Sequence, residues 1–285
     1  MLEANADGLK ADSHKTALRV FLVNLDRSID RLEIMDKHLT QLGLEFERFA
    51  AIDGACLSPA LERLYDQDRA LQVHGKALSP GEIGCALSHA AIYQRMQDEA
   101  APVALILEDD VVLAEEAIHI ISKSISSSFP WDIINLISDV DERLDPENKL
   151  TPEHWLSSFV ENPNRTGAYL IRLTGAQKML KNVYPIRMPA DNMLGDFDTT
   201  DAVLRGIVPP IATLLPVKST FQRGNYPPRS IVWKRKIPSE VDQSLFVLNP
   251  VLRPSQLWSA WHRIRSYLGP IKRWILGRAQ RGRFE

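Results

Sequence analysis

LILEDDVVL, residues 105–113, sets three carboxylates in a row between two apolar flanks, and its reading decides the fold. Like charges repel when crowded and resist burial, so Glu108, Asp109 and Asp110 at the end of an apolar run need a reason. The run begins upstream as PVALIL (102–107), which reads as a central strand with the carboxylates at its carboxyl end. If 108–110 stays extended, Glu108 and Asp110 point to one side and Asp109 to the other. Two same-side carboxylates suit a hard divalent cation, Mn2+ or Mg2+, whose open positions phosphate oxygens fill. The same acids could instead decorate an exposed turn, or Asp109 and Asp110 could cap a helix beginning near 114.

Outward from this stretch, strands and helices alternate. ALRVFLVNL (17–25) is a compact, partly β-branched apolar run and reads as a buried strand. In the helix that follows, Ser28 or Asp30 is the candidate cap, Leu32, Met35 and Leu39 share a face, and Gly43 is the stop. EFERFAAIDG (45–54) suits a second strand ending in a turn at Asp53-Gly54. Ser79, Pro80 and Glu82 form a capping-box signature, which predicts a helix over 80–96 with Ile83, Leu87, Ala90 and Ala91 toward the sheet. A helix near 114–127, a strand in WDIINLI (131–137), a strand in GAYLIRL (167–173) and a short helix in TGAQKMLKNVY follow. Residues 138–164 read as loop, and 185–229, rich in proline, resist assignment. The alternation predicts an α/β open sheet with mostly parallel order. Ligands of such sheets bind beyond the carboxyl ends of the strands, where the acidic cluster falls.

Composition is globular: 285 residues, 45% hydrophobic and 25% charged, enough for one large or two small domains. Cys56 and Cys85 sit in no metal spacing and suggest no disulfide framework, which favours a reducing compartment. The polar stretch MLEANADGLKADSHK lacks the apolar core of a signal peptide, and no apolar run reaches the roughly 18 residues of a spanning helix. A cytoplasmic protein is the expectation. Residues 251–285 hold eight Lys/Arg against Glu285 alone, a surplus of +7 that leaves −9 for the rest of a −2 chain. Such a basic tail on an acidic body points to a polyanionic neighbour.

Three blocks together resemble glycosyltransferase family 25, the bacterial lipooligosaccharide-type enzymes and the animal collagen β-galactosyltransferases. They are VFLVNLDRSIDRLEIMDKHLTQLGLEFERFAAIDG (20–54), LSPGEIGCALSHAAIY (78–93) and ALILEDDVVL (104–113). GAYLIRLTGAQKML (167–180) and MPADNML (188–194) are similar to the family's downstream block, so the resemblance covers roughly 18–231 in order. PAD stands where the family often has Pro-Val-Asp, which leaves the acid intact.

The resemblance implies an α/β, GT-A-like fold, a UDP-sugar donor, often UDP-galactose, a divalent metal, and inversion at the anomeric carbon. By this match Asp110 binds Mn2+ or Mg2+ directly, with Glu108 touching the ion through water or meeting the donor ribose. The donor-binding set would be Asn24, Arg27, Arg31, Asp53, Gly54, Ser88, His89, Glu108 and Asp109. Asp191, with Asp196 second, is the candidate base for the acceptor hydroxyl, although Asp191 also fits a helix cap. Arg27 and Arg31 would also fit surface ion pairs, and His89 a packed helical histidine. Gly81 and Gly84 suit close helix approach, since GEIG lacks the spacing of a phosphate-cradling loop. Gln222 and Ser230 are later candidates for donor contact.

The expected division is a leader over 1–15, a catalytic domain over 16–245 and a basic aromatic tail over 246–285. In that tail Leu257, Trp261, Ile264 and Leu268 share a helical stripe beside the positive charge, which suits an anionic membrane face. Nothing resembles a nucleic-acid module. The expected acceptor is a lipid-linked saccharide of lipopolysaccharide, met at the cytoplasmic face of the inner membrane. Two rivals remain: a non-catalytic scaffold on the same fold, and a metal-dependent nucleotidyl or phosphoryl transferase.

Overall fold

The computed structural model describes residues 18–137, 148–159, 163, 165–196 and 200–215. The leader, the basic tail, Gln222 and Ser230 lie outside the described residues.

In chain order the elements begin with β1 (Leu18–Asn24), α1 (Ile29–Gln41) and β2 (Glu47–Ala50), then a short 3-10 turn at Gly54–Cys56. Next are α2 (Pro59–Glu62), α3 (Gln67–Val73), α4 (Pro80–Asp98), β3 (Val103–Glu108), β4 (Val111–Leu113) and α5 (Ala117–Ser126). The chain continues through β5 (Ile133–Asn135), β6 (Trp155–Ser158), β7 (Ala168–Arg172) and α6 (Leu173–Val183). It ends with α7 (Ala190–Leu194), β8 (Leu204–Val208) and β9 (Ala212–Leu214).

Among the described residues, seven strands form one sheet in the order β2-β1-β3-β7-β5-β8-β6, and β4 pairs with β9 in a separate ribbon. β2, β1, β3, β5 and β8 run one way, while β7 and β6 run against them. Period-2 alternation splits the core into two layers. Phe21, Val23, Ala104, Ile106, Tyr169 and Ile171 pack with α4, α6 and α7. Val20, Leu22, Leu105, Leu107 and Leu170 pack with α1 and α5 on the other face. This sheet between two helical layers is the architecture expected of a GT-A-like protein. Among the described residues, no helix is long and apolar enough to cross a membrane.

Helix starts and stops follow the sequence closely. Ser79 accepts from the Glu82 N–H while Glu82 accepts from the Ser79 N–H, completing the capping box of α4. Ser28 occupies the N-cap of α1, but its side chain makes no capping bond. Met35 and Leu39 on α1 are fully buried, each stabilising the fold by roughly 1.5–3 kcal/mol. Gly43, at φ +68, ends that helix in the left-handed conformation.

Two expectations need correction. Residues 155–158 form an edge strand, β6, because Leu156 and Ser157 bury against β8. The extended backbone of β3 stops at Glu108, and Asp109-Asp110 form a turn into β4.

Candidate active site

The parallel register sets Val23 of β1 opposite Glu108 of β3, so Asn24 and Asp109 are the next neighbours at the carboxyl edge of the sheet. Alternation along β3 then separates the two acids. Glu108 falls on the α4 face with Ala104 and Ile106, and Asp109 on the α1 face with Leu105 and Leu107.

On the α1 face the acid is consumed internally. Asp109 accepts from Arg31 Nη1 at 2.7 Å and from Asn24 Nδ2 at 2.8 Å. Asn24 also donates to the Ser28 carbonyl and accepts from Arg48 Nε at 3.0 Å. Arg31 and Asn24, both buried, therefore brace the end of β1 against the acidic turn. At the neighbouring end of β2 the picture is more open. Arg27 is half exposed and pairs with Asp53, which also accepts from the Ala55 N–H to start the 3-10 turn. Gly54 and Gly84 allow the turn to touch α4. A Cβ on Gly54 would stand 1.6 Å from the Pro80 carbonyl oxygen, and one on Gly84 2.4 Å from that of Ile52. Ser88 fastens the same contact, accepting from the Ile52 N–H at 2.8 Å and donating to the Gly84 carbonyl.

On the α4 face Glu108 accepts from the Thr166 hydroxyl at 2.6 Å and lies 3.4 Å from His89 Nε2. Burial would raise its carboxyl, but His89 and Thr166 outweigh that and hold it below the usual range. His89 Nδ1 is hydrogen-bonded to the Tyr169 hydroxyl at 2.7 Å, and that hydroxyl to Tyr93 at 2.8 Å. Cys85, one turn before His89 on α4, completes a group in which donor atoms of Cys85, His89 and Glu108 lie within 4.8 Å of one another. Sequence spacing passes over Cys85, Thr166 and Tyr169. The available signal was the four-residue interval between Cys85 and His89, which puts both on one helix face.

Asp110 stands between the two sides. Its Oδ2 is 3.8 Å from Arg31 Nη1, while its Oδ1 is buried with no hydrogen-bond partner among the described residues. Burial pushes its carboxyl up to about 6; the charge of Glu108 adds to this, and Arg31 opposes it. A buried, unsatisfied carboxylate oxygen crowded by other acids fits a hard divalent cation.

Each candidate base has an identifiable neighbour. Asp191, on α7, accepts from the Asn192 N–H and is an electrostatic neighbour of Cys85, which ties it to the Glu108 side of the site. Asp196 lies beside the buried Arg187, and its carbonyl accepts from Thr200. Electrostatic contact thus links Asp110 and Asp191 to the Cys85, His89 and Glu108 group, and Asp196 to Arg187.

Residues 17–194 match the family model described as "Glycosyltransferase family 25 (LPS biosynthesis protein)". The chain belongs to glycosyltransferase family 25. Among curated relatives of this family 25 chain is a "Glycosyltransferase 25 family member" of Drosophila melanogaster. It is 32% identical over 188 residues, 60% of this chain and 29% of the relative. "Procollagen galactosyltransferase 1" of Danio rerio is 30% identical over 193 residues, 61% of this chain and 30% of the relative. The chain thus spans less than a third of the length of these relatives. A solved glycosyltransferase "involved in the glycosylation of the major capsid of PBCV-1" aligns at 12% identity and a TM-score of 0.31, covering 57% of this chain and 65% of the other.

Proposed function

We propose that this family 25 chain is an inverting glycosyltransferase that moves a hexose, galactose by preference, from a UDP-sugar to a saccharide acceptor of lipopolysaccharide. The observation that carries the reading is the buried, unpartnered Oδ1 of Asp110 at the carboxyl edge of a family 25 sheet. Galactose is favoured because a collagen galactosyltransferase is among the relatives.

In this reading Asp110 holds Mn2+ or Mg2+. A divalent ion held there would supply Lewis-acid stabilisation of the charge left on the nucleoside diphosphate when the sugar–phosphate bond breaks. Arg31 and Asn24 keep Asp109 turned to the α1 face, which fixes the turn that presents Asp110. In the same reading Arg27 and Asp53, just beyond the ends of β1 and β2, would meet the nucleoside, and Ser88 and Gly54 hold the Asp53 turn in place. Asp191 takes the proton of the acceptor hydroxyl as it attacks the anomeric carbon. The basic tail suits contact with an anionic membrane at the cytoplasmic face, where a lipid-linked acceptor would be met.

The test is UDP release with Mn2+ across UDP-galactose, UDP-glucose and UDP-N-acetylglucosamine, with a saccharide acceptor present. Galactose-dependent UDP release that Asp110→Ala abolishes in a folded protein supports the reading. Release of phosphate or pyrophosphate points instead to phosphoryl or nucleotidyl transfer. No turnover with any donor points to a scaffold.

A further inference from the structure

Cys85, His89 and Glu108 present three different donor elements at one point. Cys85 and His89 project from one face of α4, and Glu108 meets them from the end of β3. Their sulfur, nitrogen and oxygen atoms lie within 4.8 Å of one another. His89 is 1% exposed, and among the described residues its Nε2 meets no hydrogen-bond partner by geometry, only the Glu108 carboxylate at an ion-pair distance of 3.4 Å. A buried ring nitrogen left this way carries a desolvation cost that a ligand would relieve.

We propose that Cys85, His89 and Glu108 bind a thiophilic divalent cation of the Zn2+ type, distinct from the hard cation suited to Asp110. The donor set decides the class. Mn2+ and Mg2+ prefer oxygen, whereas one thiolate, one imidazole and one carboxylate are ligands of Zn2+ and Co2+. Zn–S and Zn–N/O bonds of about 2.3 and 2.0 Å put neighbouring ligands about 3.3–3.7 Å apart, so closing on an ion takes side-chain shifts of about an ångström. The outer partners match as well. With an ion bound, a His89 Nδ1–H donating to the Tyr169 hydroxyl, 2.7 Å away, would turn the Nε2 lone pair to the metal, and Tyr93 anchors Tyr169 in turn. Thr166 orients the Glu108 carboxylate in the same manner. Binding replaces the Cys85 S–H bond with a sulfur–metal bond and releases that proton to solvent. Three protein ligands leave a fourth position open. The two sites divide the acidic triplet, with Glu108 serving the soft ion and Asp110 the hard one.

Co2+ titration of the full-length, chelator-stripped protein tests this without any sugar transfer. One thiolate-bound equivalent per chain is expected beside any Co2+ taken up at Asp110, marked by a thiolate-to-cobalt charge-transfer band in the near ultraviolet that Zn2+ bleaches. Cys85→Ser removes the band with circular dichroism unchanged, and Cys56→Ser, at the exposed cysteine, keeps it. Tyr169→Phe weakens binding about 10–100-fold. X-ray absorption of the Zn2+-loaded wild-type chain is expected to show one sulfur neighbour, which requires no variant to fold. A titration without the band, a band that disappears with Cys56 in place of Cys85, or an all-oxygen zinc shell overturns the site. A chain that binds Co2+ here yet releases no UDP upholds this site and overturns the transferase reading instead.

Discussion

Arg31 Nη1 meets Asp109 Oδ1 at 2.7 Å, with side chains 8% and 12% exposed, at the point where β3 gives way to the acidic turn. Arg31 therefore neutralises the middle carboxylate of the triplet from inside the protein, and the turn carrying Asp110 hangs on that pair. Removing one partner of a buried pair leaves the other uncompensated, at a cost of about 3–5 kcal/mol. Arg31→Met is expected to lose about that much in urea unfolding. The double variant Arg31→Met, Asp109→Leu should recover part of the loss. A single variant as stable as wild type would mean that the pair is solvated and does not support the turn.

Asp110 gives the protein a pH dependence of definite sign. Its carboxyl is raised from 3.8 to about 6, so between those values the folded state holds a proton that the unfolded state has released. Stability from this group therefore falls as pH rises from about 4 to 6, and the penalty is fully present above 6. At 1.36 kcal/mol per unit the penalty is about 3 kcal/mol. In EDTA, Asp110→Asn is expected to be more stable than wild type at pH 7.5 and to lose that advantage below pH 4. Urea titrations across this range check it. Mn2+ added at pH 7.5 should stabilise wild type and leave the variant unchanged, with binding weakening as pH falls through 6.

The regular parts of the fold were legible because local and global signals agree. β3 is an uninterrupted apolar run in the middle of the sheet, and α4 carries a complete capping box with a stop-free 19 residues behind it. Short strands were harder. β6, β8 and β9 have four, five and three residues, so their pairing depends on partners remote in sequence. Side-chain direction at the site was legible for Glu108 and Asp109 through alternation, but the turn after Glu108 breaks the extended geometry that put Asp110 beside it. Arg31 carries a further lesson. A fork of donors one turn into a helix after a strand is a sound phosphate ligand by type, and only the register of β1 against β3 reveals the carboxylate already facing it.

The glycine contact between the Asp53 turn and α4 is a second mechanical weak point. At Gly84 a methyl group would meet the Ile52 carbonyl at 2.4 Å, and the obstacle is backbone, which no rotamer change can clear. Gly84→Ala is expected to cost about 1–3 kcal/mol, with Tm falling about 2–4 °C per kcal/mol. Because Ser88 bonds to Ile52 across the same contact, the KM for the nucleotide-sugar should rise in this variant, while Mn2+ affinity at Asp110 stays near wild type. Gly43→Ala is the control. Open space surrounds that site and only its positive φ is strained, so stability drops without a KM effect.

The assignment of the base rests on which acid shares the site with Glu108 and Asp110. In the proposed mechanism Asp191 is favoured as an electrostatic neighbour of Cys85, whose thiol is raised well above its ordinary range first by burial and then by the charges of Glu108 and Asp191. Asp196 instead borders Arg187, a buried guanidinium pulled down by burial and by Arg69 and pushed back up by Asp196. A lost general base costs about 100- to 10,000-fold in rate with little change in donor binding. Asp191→Asn is thus expected to lower kcat by that range with the KM for the UDP-sugar near wild type. Asp196→Asn should retain most of its kcat, and its effect should appear as lower thermal stability from weakened support of Arg187. A larger kcat loss in Asp196→Asn than in Asp191→Asn would reverse the two roles and move the acceptor to the Arg187 side of α7.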